Sequence, residues 1–94
     1  MTYIINIWKS SYGSGVACIW RGTDRKQFLK EIQKAVQKYG AVKNIARWVN
    51  YGNYEIFSFT DSARAYYSWL DFEFSKKPIS AKYVKIGKGG IIDG

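Results

Sequence analysis

The sequence predicts an α+β domain: a single mixed, mainly antiparallel sheet with two helices on one face, in the order ββαββαβ. Two stretches, 28–39 and 63–74, repeat apolar residues at helical spacing, and five strand-length runs rich in β-branched and aromatic residues surround them. Crossover connections return right-handed, which places both helices on the same side and leaves the other sheet face open to a partner.

The elements follow in order. TYIINIWK (2–9) and VACIWR (16–21) read as paired strands, joined by SSYGSG, whose glycines suit a hairpin turn. Thr23 and Asp24 offer an N-cap to a helix whose stripe is Phe28, Leu29, Ile32, Ala35, Val36 and Tyr39, and Gly40 stops it. VKNIARWVNY (42–51), a Gly52-Asn53 turn and YEIFSFT (54–60) form a second hairpin. Asp61 or Ser62 caps a second helix with the stripe Ala63, Tyr66, Tyr67, Leu70 and Phe74; Pro78 closes it, and SAKYVKIG (80–87) is the last strand. From about residue 87 the glycines Gly87, Gly89 and Gly90 make a flexible tail. Ninety-four residues are expected to make one domain.

Charge is the first functional clue. Lys and Arg number 15 against 7 Asp and Glu, a formal charge of +8. Residues 1–50 carry 9 bases and 2 acids, residues 51–94 only 6 bases and 5 acids, so the basic field belongs to the first half. Such a field selects nucleic acid, an anionic membrane or an acidic protein surface as partner. Its densest expression is DRKQFLKEIQKAVQKYG (24–40), with Lys26, Lys30, Lys34 and Lys38 at four-residue spacing. On a helix that spacing forms a slowly winding ridge roughly 18 Å long. Lysines four apart repel one another, and only Glu31, three residues before Lys34, is placed to relieve this, so helix stability does not account for the pattern. The competing reading is an ordinary solvated helix face.

Aromatic residues make up 18% of the chain, with four tryptophans. Trp8, Trp20, Trp48 and Tyr54 are candidates for a base-stacking platform, against the plainer role of filling a small core. Arg21 follows Trp20 and Arg47 precedes Trp48, so on a strand one member of each pair faces outward: the guanidinium to contact phosphate or the ring to stack. Lys82 and Lys85 have opposite strand parity and do not form one patch.

Catalysis has little support. With no histidine, the commonest general base is missing. Asp24 and Asp61 read as caps, Glu31 as a surface charge, and Asp71 and Glu73 point to different sides of one helix, so no carboxylate pair converges on a metal. GKGG lacks P-loop spacing. The expectation is a non-enzymatic protein without metal or cofactor. Cys18 is the only cysteine, which excludes an internal disulfide; within VACIW it reads as a buried thiol, and the reducing cytoplasm is the expected compartment. MTYIINIW has no basic leader and falls far short of a membrane span.

KYGAVKNI (38–45) and NYEIFSF (53–59) resemble an RNA-recognition-motif domain, a βαββαβ sandwich of the ferredoxin-like class. The resemblance covers roughly residues 23–86. Tyr39, Gly40 and Val42 match its aromatic-glycine helix end and following strand. On the family's octamer, Tyr54 takes the first aromatic position, Phe57 the Val position and Phe59 the last, while Glu55 stands for a small residue and Ile56 for the second stacking aromatic. TYIINI is similar to the family's shorter motif, with Tyr3 at the stacking position, though one strand early. Either residues 10–22 are an insertion or residues 2–9 are an added strand. The resemblance implies binding of RNA or single-stranded DNA, through Tyr3 and Tyr54 together with the basic residues.

A second class remains open. In size and α+β make-up the chain is similar in kind to phage-encoded anti-CRISPR inhibitors, which occupy the surface of a host nucleoprotein complex; a basic one would seek an acidic patch or the nucleic acid itself. Membrane-surface binding ranks third, because the basic helix's apolar stripe is needed for the core. A homodimer through an exposed strand edge is open as well.

Overall fold

The computed structural model describes residues 1–8, 16–39, 45–60, 78–87 and 90–93. They form six strands and one helix: β1 Thr2–Trp8, β2 Val16–Gly22, α1 Arg25–Tyr39, β3 Ile45–Asn50, β4 Tyr54–Thr60, β5 Ser80–Gly87 and β6 Gly90–Asp93. The strands make one mixed sheet in the order β2-β1-β4-β3-β5-β6, in which only the β1–β4 pair is parallel.

This corrects the ββαββαβ, ferredoxin-like expectation. A split βαβ of that class leaves one strand between the two that flank the helix. Here α1 connects β2 to β3 across two strands, β1 and β4. The early motif strand β1 lies inside the sheet, and β2, directly before the helix, lies at its edge. The glycine-rich end, expected as a loose tail, carries β6, which pairs with β5 from Gly87↔Gly90 onward. Glycines beside a short connection are as compatible with a hairpin as with a loose end. The expected second helix, and with it Asp61, Asp71 and Glu73, lies outside the described residues.

The helix begins as expected. The Asp24 carboxylate accepts the Lys26 backbone N–H at 3.0 Å, and the Asp24 carbonyl accepts from Phe28 at 2.9 Å, which satisfies two early donors of α1. Phe28, Ile32, Ala35 and Val36 then turn toward the sheet and are buried. They meet Tyr3, Ile5 and Ile7 of β1, Ala46 of β3, Phe57 and Phe59 of β4, and Val84 of β5. The sheet curls so that α1 packs against β1 and β2 and also approaches the far-edge strand β6.

The face away from α1 was expected to be open, and over its central strands it is not. Ile4, Trp8, Val49, Ile56, Ser58 and Thr60 alternate with the core residues above and are all buried. The Thr60 hydroxyl donates to the Trp8 carbonyl at 3.0 Å, so this polar side chain is used internally. Every residue of β4 from Glu55 to Thr60 is buried, as expected for a strand covered on both faces.

The β3–β4 hairpin turns where the sequence places it. Gly52 adopts a left-handed φ of 95°, its N–H donates to the Asn50 side chain at 2.7 Å, and Tyr51 N–H donates to the Tyr54 carbonyl at 2.8 Å. An added Cβ at Gly52 would also lie 3.0 Å from Ile79. Gly52→Ala is expected to cost about 1 to 2 kcal/mol, read as a drop in melting temperature with the native circular dichroism spectrum retained. An unchanged melting temperature would contradict the assigned turn geometry.

Candidate functional site

A four-residue repeat on a helix drifts about 40° per step, so Lys26 to Lys38 wind through about 120°. Lys30 lies almost opposite the buried stripe, while Lys34 and Lys38 wind down onto the flank that faces the edge strand β2. All four are exposed. Glu31 takes the relieving position foreseen for it. Its Oε1 lies 3.5 Å from Lys34 Nζ and accepts from Gln27 Nε2 at 2.7 Å. Lys34 is 70% exposed, so this pair adds little stability and mainly orients the two side chains.

Between this flank and β2 lies a groove of about 250 Å³ lined by Ile19, Trp20, Glu31, Lys34, Ala35, Lys38 and Tyr39. Its wall on the sheet side is produced by a register shift of the β1–β2 pair between Ile5 and Asn6: Ile5 pairs with Trp20 and Asn6 with Cys18, so Ile19 is the extra residue. Trp20 faces α1, its ring stacked on Phe28 at 6.0 Å and 24°. The ring also covers Gly22, where an added Cβ would lie 2.7 Å from it. On the helix side, Lys38 Nζ sits 5.4 Å from the centre of the Tyr39 ring. Two aromatic rings, two cations and one carboxylate thus converge.

The other sequence candidates are dispersed. Tyr3, expected at a stacking position, is buried and stacks on Phe28 at 5.0 Å, so it belongs to the core. Trp8 is buried on the far face. Trp20 and Trp48 both face α1, which sends Arg21 and Arg47 to the opposite side. Arg21, on β2, pairs with Ile4 of β1, and Arg47, on β3, pairs with Ser58 of β4, with two strands between β2 and β3. Tyr54, half-buried, begins β4 and pairs with Thr2, also on the far face. The structure therefore brings Lys34, Lys38 and Trp20 together and does not join Tyr3, Tyr54, Arg21 or Arg47 to them.

Trp48 is engaged in a separate cluster. Its indole N–H donates to Glu55 Oε1 at 2.9 Å, and Arg25 contacts the same oxygen at 3.4 Å. Its ring meets Phe28 and Phe57 edge-on at 5.9 and 5.6 Å, and Lys82 Nζ lies 5.7 Å from its centre. Glu55, which replaces the small residue of the octamer motif, is thereby a buried, hydrogen-bonded carboxylate. Cys18, expected to be buried, is exposed on the edge strand, with Sγ 3.4 Å from the Trp20 carbonyl.

Of the groove residues, Ile19, Glu31, Ala35 and Tyr39 are not among the sequence candidates: Glu31 reads as a surface charge, and Ala35 and Tyr39 as part of the apolar stripe. The drift of the lysine repeat toward one flank was the available signal. Which strand occupies that flank depends on the sheet order.

No family model, curated protein or solved structure matches this chain. No helix among the described residues is long and apolar enough to cross a membrane.

The Glu55 cluster makes a clear prediction. Trp48→Phe keeps an aromatic ring but removes the donor to a buried carboxylate together with the five-membered half of the indole, and is expected to cost about 1 to 3 kcal/mol in urea unfolding. Adding Glu55→Gln to that variant should recover part of the loss, because an amide tolerates the missing partner better than a carboxylate. Equal losses in the single and double variants would show that the carboxylate does not depend on the indole.

Proposed function

We propose that this protein is a non-enzymatic binder of RNA or single-stranded DNA whose contact surface is the lysine ridge of α1 and the adjoining flank of β2. The observation that carries the reading is the placement of Lys26, Lys30, Lys34 and Lys38, all exposed, on a helix whose opposite stripe is committed to the core. Cations along such a ridge neutralise backbone phosphates and release counterions, which gives affinity without sequence specificity. The ridge leads into a groove walled by Trp20 and Tyr39, and unpaired bases stack on such rings, which favours a single strand over a duplex. Cytoplasmic location belongs to the same proposal.

The basic ridge also gives no support to nucleic-acid mimicry, which requires an acidic surface. An inhibitor of a host nucleoprotein complex would use the same ridge against the nucleic-acid component.

The double charge reversal Lys26→Glu with Lys34→Glu tests the reading. Both side chains are exposed, so the melting temperature should stay near that of the parent. Affinity for a mixed-sequence single strand at low salt should fall sharply. The slope of log K against log salt should flatten by about 1.4, from roughly 0.7 per phosphate contact. Binding equal to the parent's would reduce the ridge to a solvated helix face.

A further inference from the structure

The groove between α1 and β2 has a size and polarity that select one kind of occupant. At about 250 Å³ it falls just below the roughly 300 to 1,000 Å³ of sites that enclose drug-sized ligands. A volume of that order matches a single base-sized ring. Its walls come from two separate elements, with Trp20 held flat by Phe28 and by the missing side chain at Gly22. Trp20 therefore enters the groove lining as a ring whose position is fixed by packing before any ligand arrives.

Polarity narrows the choice further. Both contacts to Glu31 fall on Oε1, from Gln27 and from Lys34. Oε2 takes part in neither contact, Glu31 lines the groove, and a carboxylate can only accept. Cytosine and adenine carry an amino group that donates, at N4 and N6, and guanine donates through N1–H and N2; uracil and thymine carry a carbonyl oxygen at the place of the cytosine amino group, which a carboxylate repels. Lys34 and Lys38 supply cations for the attached phosphate.

We propose that this groove is a subsite for one unpaired amino-bearing nucleobase, stacked beside Trp20 and Tyr39, read by Glu31, with its phosphate on Lys34 and Lys38. The proposal rests on the reading of α1 as a nucleic-acid surface and adds base preference to it.

The experiment measures fluorescence anisotropy of labelled ten-nucleotide oligo-C, oligo-A and oligo-U with the full chain at low salt. Oligo-C and oligo-A are expected to bind more tightly than oligo-U by roughly fivefold, the discrimination of one good hydrogen bond. Glu31→Gln, near-isosteric and able to donate as well as accept, should remove most of that preference. Gly22→Ala, which displaces the Trp20 ring without deleting it, should weaken oligo-C more than oligo-U, with thermal melting confirming that the variant is folded. Equal affinity for all three oligomers, or a preference that survives Glu31→Gln, overturns the subsite. If such equal binding is lost in Lys26→Glu with Lys30→Glu, two positions outside the groove, the ridge still stands. Absence of binding to any oligomer at low salt overturns the ridge and the subsite together.

Discussion

Phe28 is the contact on which the arrangement depends. It is fully buried and touches three strands through aromatic rings: Tyr3 of β1 at 5.0 Å, Trp20 of β2 at 6.0 Å and Trp48 of β3 at 5.9 Å. Each such pair contributes about 0.5 to 1.5 kcal/mol beyond the area it buries. Seating this ring sets the rotation of α1 about its axis. Because the helix period is fixed, that rotation also determines where every lysine points. The same ring supports Trp20 from beneath, so core packing and the wall of the groove are one structure.

The buried far face explains why the proposed functional surface is on the helix side. Ile4, Trp8, Val49 and Ile56 are unavailable to a partner, and Ser58 and Thr60 between them are buried as well. A sheet with a free face offers a flat stacking platform; this one offers a helix and an edge strand. That leaves the exposed lysines of α1 and the cleft beside β2 as the surface on which the proposed interaction rests. Trp48, with its donor given to Glu55 and its ring bracketed by Phe28, Phe57 and Lys82, works as structural reinforcement on the same side.

Local structure was legible in the sequence wherever a local rule governs it. The cap at Asp24, the stripe from Phe28 to Val36 and the turn at Gly52 each depend on a few neighbouring residues, and each lies where those residues place it. Sheet order was not legible, because pairing β1 with β4 in parallel joins residues some fifty positions apart without a local signal. The misplacement of Tyr3 follows from that. An aromatic in TYIINI reads the same whether the strand is central under a helix or open to solvent, and here it is central. The Trp-Arg pairs show the limit from the other side: strand alternation required one partner of each pair to face away from the core, but only the location of α1 decided that the arginines do. Cys18 looked buried from its apolar neighbours, and an edge strand exposes it.

The most direct measurement is an amide chemical-shift map of the folded chain during titration with a short unstructured single strand at low salt. Binding through the ridge and groove predicts perturbations concentrated from Lys30 to Tyr39 on α1 and from Ile19 to Gly22 on β2, with Val49, Ile56 and Ser58 unmoved. Shifts centred on Arg47, Tyr54 or Lys82, with α1 silent, would contradict it.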